Sequence, residues 1–107
     1  MKDSDRKLII DSCKASIEKN IIITHGTDTM TETANKLGEK NLNKTIVLTG
    51  AMIPYKFGTS DGLFNIASAL AYVQTLSHGV YVAMNGRVFT YDNVIKNKET
   101  GVFEDIR

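Results

Sequence analysis

Ile21-Ile22-Ile23-Thr24-His25-Gly26-Thr27-Asp28-Thr29-Met30 decides how the rest of the chain is read. Three consecutive β-branched residues favour a strand buried on both faces, and the polar run after them ends it abruptly at His25-Gly26. Thr29 and Glu32 have the S/T-x-x-E spacing of a capping box, which predicts a helix from there with Met30, Ala34 and Leu37 on its buried face. The loop between them joins a strand's carboxyl end to a helix's amino end. In open α/β sheets ligands sit at that edge, because free backbone N–H groups and the helix dipole point into the crevice. Gly26 allows a close turn there, and Thr27 and Asp28 bring a hydroxyl and a carboxylate to its crest. Thr, Asp and Gly are also ordinary turn and cap residues, so the loop alone is equally compatible with a cap that does no chemistry.

Outward from this stretch the pattern repeats. Thr45-Ile46-Val47-Leu48-Thr49 is a second β-branched run ending in Gly50, and Val80-Tyr81-Val82-Ala83-Met84 a third, opened by Gly79 and closed by Asn85-Gly86. Helical spacing of Leu8, Ile9, Cys13 and Ile17 predicts an amphipathic helix from residue 5 to about 19. The second helix should run to near Leu37, with Gly38 as a natural stop. A third, capped by Ser60 or Asp61, carries Leu63, Ile66, Ala67, Leu70 and Ala71 on the face assigned to the core. Residues 50–60 form a connection long enough to suggest function, with Tyr55 and Phe57 as a lid or a small packing cluster. Asn85-Gly86 predicts a hairpin with a short arm at Arg87-Val88-Phe89.

The order αβαβαβ plus an extended tail predicts an α/β fold, a mainly parallel sheet with flanking helices in flavodoxin-like or Rossmann-like outline. Three strands make a narrow sheet with open hydrophobic edges, so a further strand is expected to be missing or supplied by a partner.

At 107 residues the chain is one domain, and 42% hydrophobic with 23% charged residues is ordinary for a globular one. A formal charge of +1 gives no pull toward nucleic acid or an anionic membrane. Cys13, the one cysteine, cannot form an internal disulfide, and its helical spacing marks a small buried hydrophobe. His25 and His78 lie too far apart in sequence to suggest a metal site, and His25 reads as a hydrogen-bonded scaffold group. No apolar run is long enough to span a bilayer, and the amino terminus lacks the apolar core of a secretion signal, so a cytoplasmic location is expected.

The polar groups gathered at the sheet's carboxyl edge are Thr27, Asp28, the backbone of Gly50-Ala51, Thr59, Ser60 and Asp61, with Lys96 able to reach back from the tail. A hydroxyl beside a carboxylate and an ammonium suits hydroxyl-based acyl transfer on a small-molecule substrate. A nucleotide-binding reading lacks a glycine-rich phosphate loop.

Several stretches resemble the bacterial-type L-asparaginases. His25-Gly26-Thr27-Asp28-Thr29-Met30 with Thr31-Glu32-Thr33-Ala34 resembles their second signature, and Leu48-Thr49-Gly50-Ala51-Met52-Ile53-Pro54 their following strand and loop. Ser60-Asp61-Gly62-Leu63-Phe64-Asn65 is similar to their S-A-D-G-x-x-N segment, Gly79 to Asn85 to the next strand, and Val94-Ile95-Lys96 to the V-T-K piece that carries the family's lysine. The resemblance implies an asparaginase amino-terminal-type domain over residues 1–107, incomplete at its amino-terminal edge. It also implies hydrolysis of the asparagine side-chain amide to aspartate and ammonia without a metal or cofactor. By matching motif, Thr27 is the second catalytic threonine, Lys96 polarises it, and Asp28 binds the substrate's α-ammonium. Ser4 matches the serine that holds the α-carboxylate, the Ala51 carbonyl contacts the leaving amide, and Gly26 lies against the substrate. Ser4 and Asp5 also read as caps of the first helix, and Lys96 as a solvated surface lysine.

The family's T-G-G-T-I signature, which carries the first threonine, has no counterpart here. The expected consequence is a truncated domain that is nearly inactive alone, and the alternative is a non-catalytic amino-acid-binding or assembly module. A narrow sheet, and family sites completed by a neighbour, both imply a homo-oligomer.

Overall fold

The computed structural model of the chain describes residues 1–53 and 60–107. Its elements in order are α1 (Asp3–Ala15), β1 (Asn20–Thr24), α2 (Met30–Glu39), β2 (Thr45–Thr49), α3 (Gly62–Thr75), β3 (Gly79–Met84), β4 (Arg87–Thr90), β5 (Ile95–Lys96) and β6 (Phe103–Glu104). The expected α/β architecture with a mainly parallel sheet is what forms. β1, β2 and β3 run parallel, with Ile21 beside Ile46 and Ile46 beside Val80. The hairpin at Asn85-Gly86, both residues at positive φ, turns the chain back so that β4 pairs antiparallel with β3. The sheet therefore has four strands in the order β1-β2-β3-β4, and β5 and β6 form a separate two-stranded piece.

Alternation along β2 separates two cores. Ile46 and Leu48 face a large cluster with Ile10 and Cys13 of α1, Met30, Ala34 and Leu37 of α2, and Phe89, Val94 and Phe103 from the last part of the chain. Val47 faces the other way, onto a small cluster with Ala69 and Val73 of α3 and Ala83 of β3.

β1 is an open edge. Thr45 donates its N–H to the Lys19 carbonyl at 2.8 Å and His25 donates its own to the Thr49 carbonyl at 2.9 Å. In a parallel strand a residue's N–H and C=O point to one side, so Asn20, Ile22 and Thr24 direct theirs away from β2. A cavity of about 690 Å³ runs along this edge, lined by Leu8, Ile9 and Cys13 of α1 and by Ile21, Ile22 and Ile23. The expected unfinished edge is thus at β1, while β4 covers the opposite one.

Four local expectations are corrected. α1 stops at Ala15 because Ser16 turns extended, leaving Ile17 exposed beyond the helix. Gly38 does not stop α2; it lies inside the helix, where any Cβ would collide with the Tyr91 ring, and the turn comes at Asn41, at positive φ. Thr29 occupies the N-cap of α2, yet its hydroxyl makes no cap bond, and Glu32 pairs instead with Arg6. The face of α3 is inverted: Gly62, Asn65, Ala69 and Val73 are buried, while Leu63, Ile66, Ala67, Leu70 and Ala71 are exposed. Asn65 explains the inversion, because its amide is bonded to the Gly50 carbonyl and the Asn85 N–H at the sheet edge, partners an outward position would forfeit.

Candidate active site

At the carboxyl edge, β1 ends and His25 is pinned to β2 by the bond to Thr49. The next residue of the facing loop, Gly50, sits so close to the His25 carbonyl that a Cβ would overlap it. Two strand ends are thereby brought into contact, and the Thr27-Asp28 crest stands beside them at the head of α2. Lys96 arrives from far along the chain. Buried Val94 and Phe103 anchor the β5–β6 hairpin to the large core, which fixes the backbone from which the lysine reaches back.

The Lys96 ammonium donates to Thr27 Oγ1 at 3.0 Å and to Asp28 Oδ1 at 2.7 Å. Its side chain is 13% exposed, whereas that of Asp28 is 87% exposed, so the carboxylate faces solvent and the amine does not. The hydrogen bond from Lys96 and then its charge hold the Asp28 carboxyl below the usual range. An acid this exposed, paired among the described residues with a mostly covered lysine, is open to a second cation.

The other wall is set by Asn65, which is fully buried. Its Nδ2 donates to the Gly50 carbonyl at 2.8 Å and to Asp61 Oδ2 at 3.1 Å, and its Oδ1 accepts the Asn85 N–H at 3.0 Å. One amide thus ties the ends of β2 and β3 to the head of α3. Burial pushes the Asp61 carboxyl up, but the N–H groups of Ile53, Met52 and Asp61 itself, with the Asn65 amide, outweigh this and leave it lowered. Ser60 accepts the Gly62 N–H at 3.1 Å as a local cap.

The remaining site residues are placed as follows. Gly26 is exposed beside Thr27. Ala51 follows β2 and lines a cavity of about 150 Å³ with Thr24, Thr49, Gly50, Gly62 and Ile66. Ser4 lies exposed in the first turn of α1, where Asp5 rather than Ser4 accepts the Lys2 N–H, at 3.1 Å. Thr59, Tyr55 and Phe57 lie outside the described residues. His25 is a buried scaffold group, bonded through Nδ1 to the Gly26 carbonyl at 2.7 Å and through Nε2 to Thr33 Oγ1 at 2.8 Å. Cys13 is buried, and burial pushes its thiol up, as suits a packed hydrophobe. Among the described residues no cluster of His, Cys, Asp and Glu has the arrangement of a metal site.

Sequence reasoning passed over Arg6 and Thr33, and quoted Asn65 without giving it a role. Each had a signal: a polar residue at helical spacing on an otherwise apolar face, Arg6 with Ile10 and Cys13, Thr33 with Met30 and Leu37.

The family model described as asparaginase, N-terminal, matches residues 1–103. The chain belongs to the asparaginase family. It is 38% identical over 100 residues to a probable periplasmic L-asparaginase of Haemophilus influenzae, covering 90% of this chain and 28% of that protein. It is 39% identical over 90 residues to a glutaminase-asparaginase of Acinetobacter glutaminasificans, covering 80% and 27%. The thermostable L-asparaginase of Thermococcus kodakarensis superposes with a TM-score of 0.87 at 28% identity, covering 99% of this chain and 34% of that structure. The chain thus spans 27–28% of the length of these two curated relatives.

Proposed function

We propose that this asparaginase-family domain binds asparagine or a related side-chain amide at the Thr27–Asp28–Lys96 cluster and contributes that cluster to its hydrolysis. The observation that carries the reading is the pair of hydrogen bonds from one lysine to the adjacent hydroxyl and carboxylate. In this reading the substrate's α-ammonium takes the exposed Asp28 carboxylate and competes with Lys96 for it. Lys96, hydrogen-bonded to Thr27, is assigned to polarise that hydroxyl. Ser4 is assigned to the α-carboxylate, and Gly26 and the Ala51 carbonyl to the amide end.

Acyl transfer through an ester needs a nucleophile and a separate proton shuttle. Among the described residues the lysine has one hydroxyl partner, Thr27, so the chain alone is expected to release ammonia several orders of magnitude more slowly than a complete site. Incubation with asparagine and with glutamine, following ammonia, tests this. Turnover at the rate of a full asparaginase would refute the near-inactivity. The binding half is tested separately, by titrating L-aspartate and L-asparagine into labelled protein. Shifts at Thr27 and Asp28 that vanish in Asp28→Asn are expected; a silent titration would sink the site.

The resting ion pair also favours a second reading, an amino-acid-binding module that never turns over, because a paired ammonium is not a base. Saturable binding with no ammonia from any assembly of the chain would select it.

An oligomer belongs to the same proposal. The backbone groups of Asn20, Ile22 and Thr24, unpaired among the described residues, and the exposed Leu63, Phe64 and Leu70 of α3 support association between copies. Sedimentation showing only monomer at micromolar concentration would count against it.

A further inference from the structure

We propose that Arg6 is a positioning residue for the Thr27 loop, acting through Thr33 and His25 to lock the ring of His25 onto the Gly26 carbonyl.

Arg6 is charged yet only 3% exposed, and it leaves α1 toward the head of α2. Its Nη1 meets Asp3 at 3.0 Å and its Nη2 meets Glu32 at 3.4 Å, which balances the charge. Its Nε does something else. It donates to Thr33 Oγ1 at 2.8 Å, and that same oxygen is 2.8 Å from His25 Nε2. At the far side of the ring, Nδ1 is 2.7 Å from the carbonyl of Gly26, the residue before Thr27.

The direction of every bond in this series follows from what each group can do. A guanidinium only donates and a carbonyl only accepts, so Thr33 must accept from Arg6 and Nδ1 must carry a proton for Gly26. In the neutral ring Nε2 is then an acceptor, and the single Thr33 proton goes to it at 2.8 Å rather than to the Met1 sulfur, a weak acceptor at 3.8 Å. Arg6 donates into one of the hydroxyl's two lone pairs, which restricts its rotation and favours the orientation that points its proton at the histidine. Without Arg6 the hydroxyl turns freely and has both lone pairs to offer, so the form with the proton on Nε2 gains ground and the ring's hold on Gly26 weakens. Charge balance alone needs no such ordering: Asp3 and Glu32 already supply it. The ring stands between a buried arginine and the loop that presents Thr27 to Lys96, so a change at Arg6 is transmitted to the cluster without touching it. The functional weight of the lock rests on the amide-site reading above; its geometry does not.

The test is the ring nitrogen spectrum of His25 at neutral pH, recorded with the Gly26 and Thr27 amides and the Lys96 ammonium. The wild-type chain should show a protonated Nδ1 and a bare, hydrogen-bonded Nε2, the reverse of the tautomer a solvated histidine favours. Arg6→Met should bring in the Nε2–H form and shift the Gly26 and Thr27 amides. Thr33→Val should strip the hydrogen bond from Nε2 and shift the same amides, while Thr33→Ser restores the wild-type pattern. A wild-type ring protonated at Nε2 overturns the proposal, as does a folded Arg6→Met or Thr33→Val whose Gly26, Thr27 and Lys96 signals are those of the wild type. Should Arg6→Met fail to fold, the Thr33 pair and the wild-type tautomer still decide. None of these readouts requires turnover, so a chain that hydrolyses nothing tests the lock as well as one that does.

Discussion

α2 and α3 lie on opposite faces of one sheet and solve the same packing problem in opposite ways. α2 turns its apolar stripe inward: Met30, Ala34 and Leu37 are fully buried against β2 and β3. α3 is the more hydrophobic of the two in sequence, yet it turns Leu63 (70% exposed) and Leu70 (53% exposed) to the outside and buries Gly62, Asn65, Ala69 and Val73. A hydrophobic helix does not choose its buried face by apolar area alone. On the α3 face, small residues let the helix come close, and Asn65 satisfies the Gly50 carbonyl and the Asn85 N–H, which would otherwise be stranded at the strand ends, while adding one bond to Asp61. Stranding a buried polar group costs about 1–3 kcal/mol, comparable with the gain from burying one leucine.

The strongest way to break this contrast is to truncate one leucine from each helix. Leu37→Ala should lower stability by about 2–5 kcal/mol, because it opens a cavity in the large core. Leu70→Ala should stay within about 0.5 kcal/mol, since the side chain is already in water. Denaturant midpoints of the two variants measure the difference, and equal losses would mean that the α3 face is covered in the protein in solution. Next in size is Asn65→Leu, which offers α3 more apolar area at the buried position. It should nevertheless destabilise, by about 1–3 kcal/mol for each group left without a partner. A neutral or stabilising result would show that shape, not hydrogen bonding, turned the helix. Smaller again is Gly38→Ala in α2, where helix propensity favours alanine by about 1 kcal/mol but the Tyr91 ring occupies the space a methyl needs. The expected sign is destabilising, and Gly38→Ala combined with Tyr91→Ala should recover the propensity gain.

The same contrast marks what could be read from the chain. α2 was legible because its apolar residues recur at helical spacing and end up where that spacing points them. α3 was legible as a helix but not in orientation: when most positions are apolar, periodicity carries little information about facing, and the deciding residue was Asn65, the polar side chain on the buried face. Strand runs such as Ile21 to Ile23 and Thr45 to Thr49 were legible as strands, because β-branched blocks have few other uses, but burial on both faces holds for Thr45 to Thr49 and not for Ile21 to Ile23, which are half-buried at the sheet edge. β4 was half seen, as the arm of a hairpin, since Asn85-Gly86 dictates the turn but says nothing of how far pairing continues. In the site, Thr27, Asp28 and Lys96 converge as expected, although nothing local to Lys96 separates it from Lys98. The family resemblance of Val94-Ile95-Lys96 does, and in the fold so does the anchoring of Val94 and Phe103, which is a tertiary fact. Arg6, Thr33 and Asn65 stayed hidden for one reason: each acts through partners distant in sequence.

The acids at the heads of the two helices sharpen the comparison last and with the smallest effect on stability. Asp28, before α2, and Asp61, before α3, both have carboxyls held below the usual range, by different means: Lys96 for Asp28, and for Asp61 backbone N–H groups and Asn65, working against burial. A carboxyl lowered in the folded state contributes stability that is complete above its unfolded value and is lost as pH falls through the folded value. Both pairs should therefore loosen on acidification, below the ordinary carboxylate range. What separates them is the partner. Removing the cation in Lys96→Met should return the Asp28 titration toward the ordinary range and leave that of Asp61 where it was. High salt should move the same way, raising Asp28, whose side chain is 87% exposed, more than Asp61, whose donors are fixed backbone groups. The two titrations are followed by the carboxyl carbon shifts of each residue. If Asp61 moves with Lys96→Met, the two helix heads are coupled through the strand ends that Asn65 and the Gly50–His25 contact hold together, and the site responds to substrate as one unit rather than as two walls.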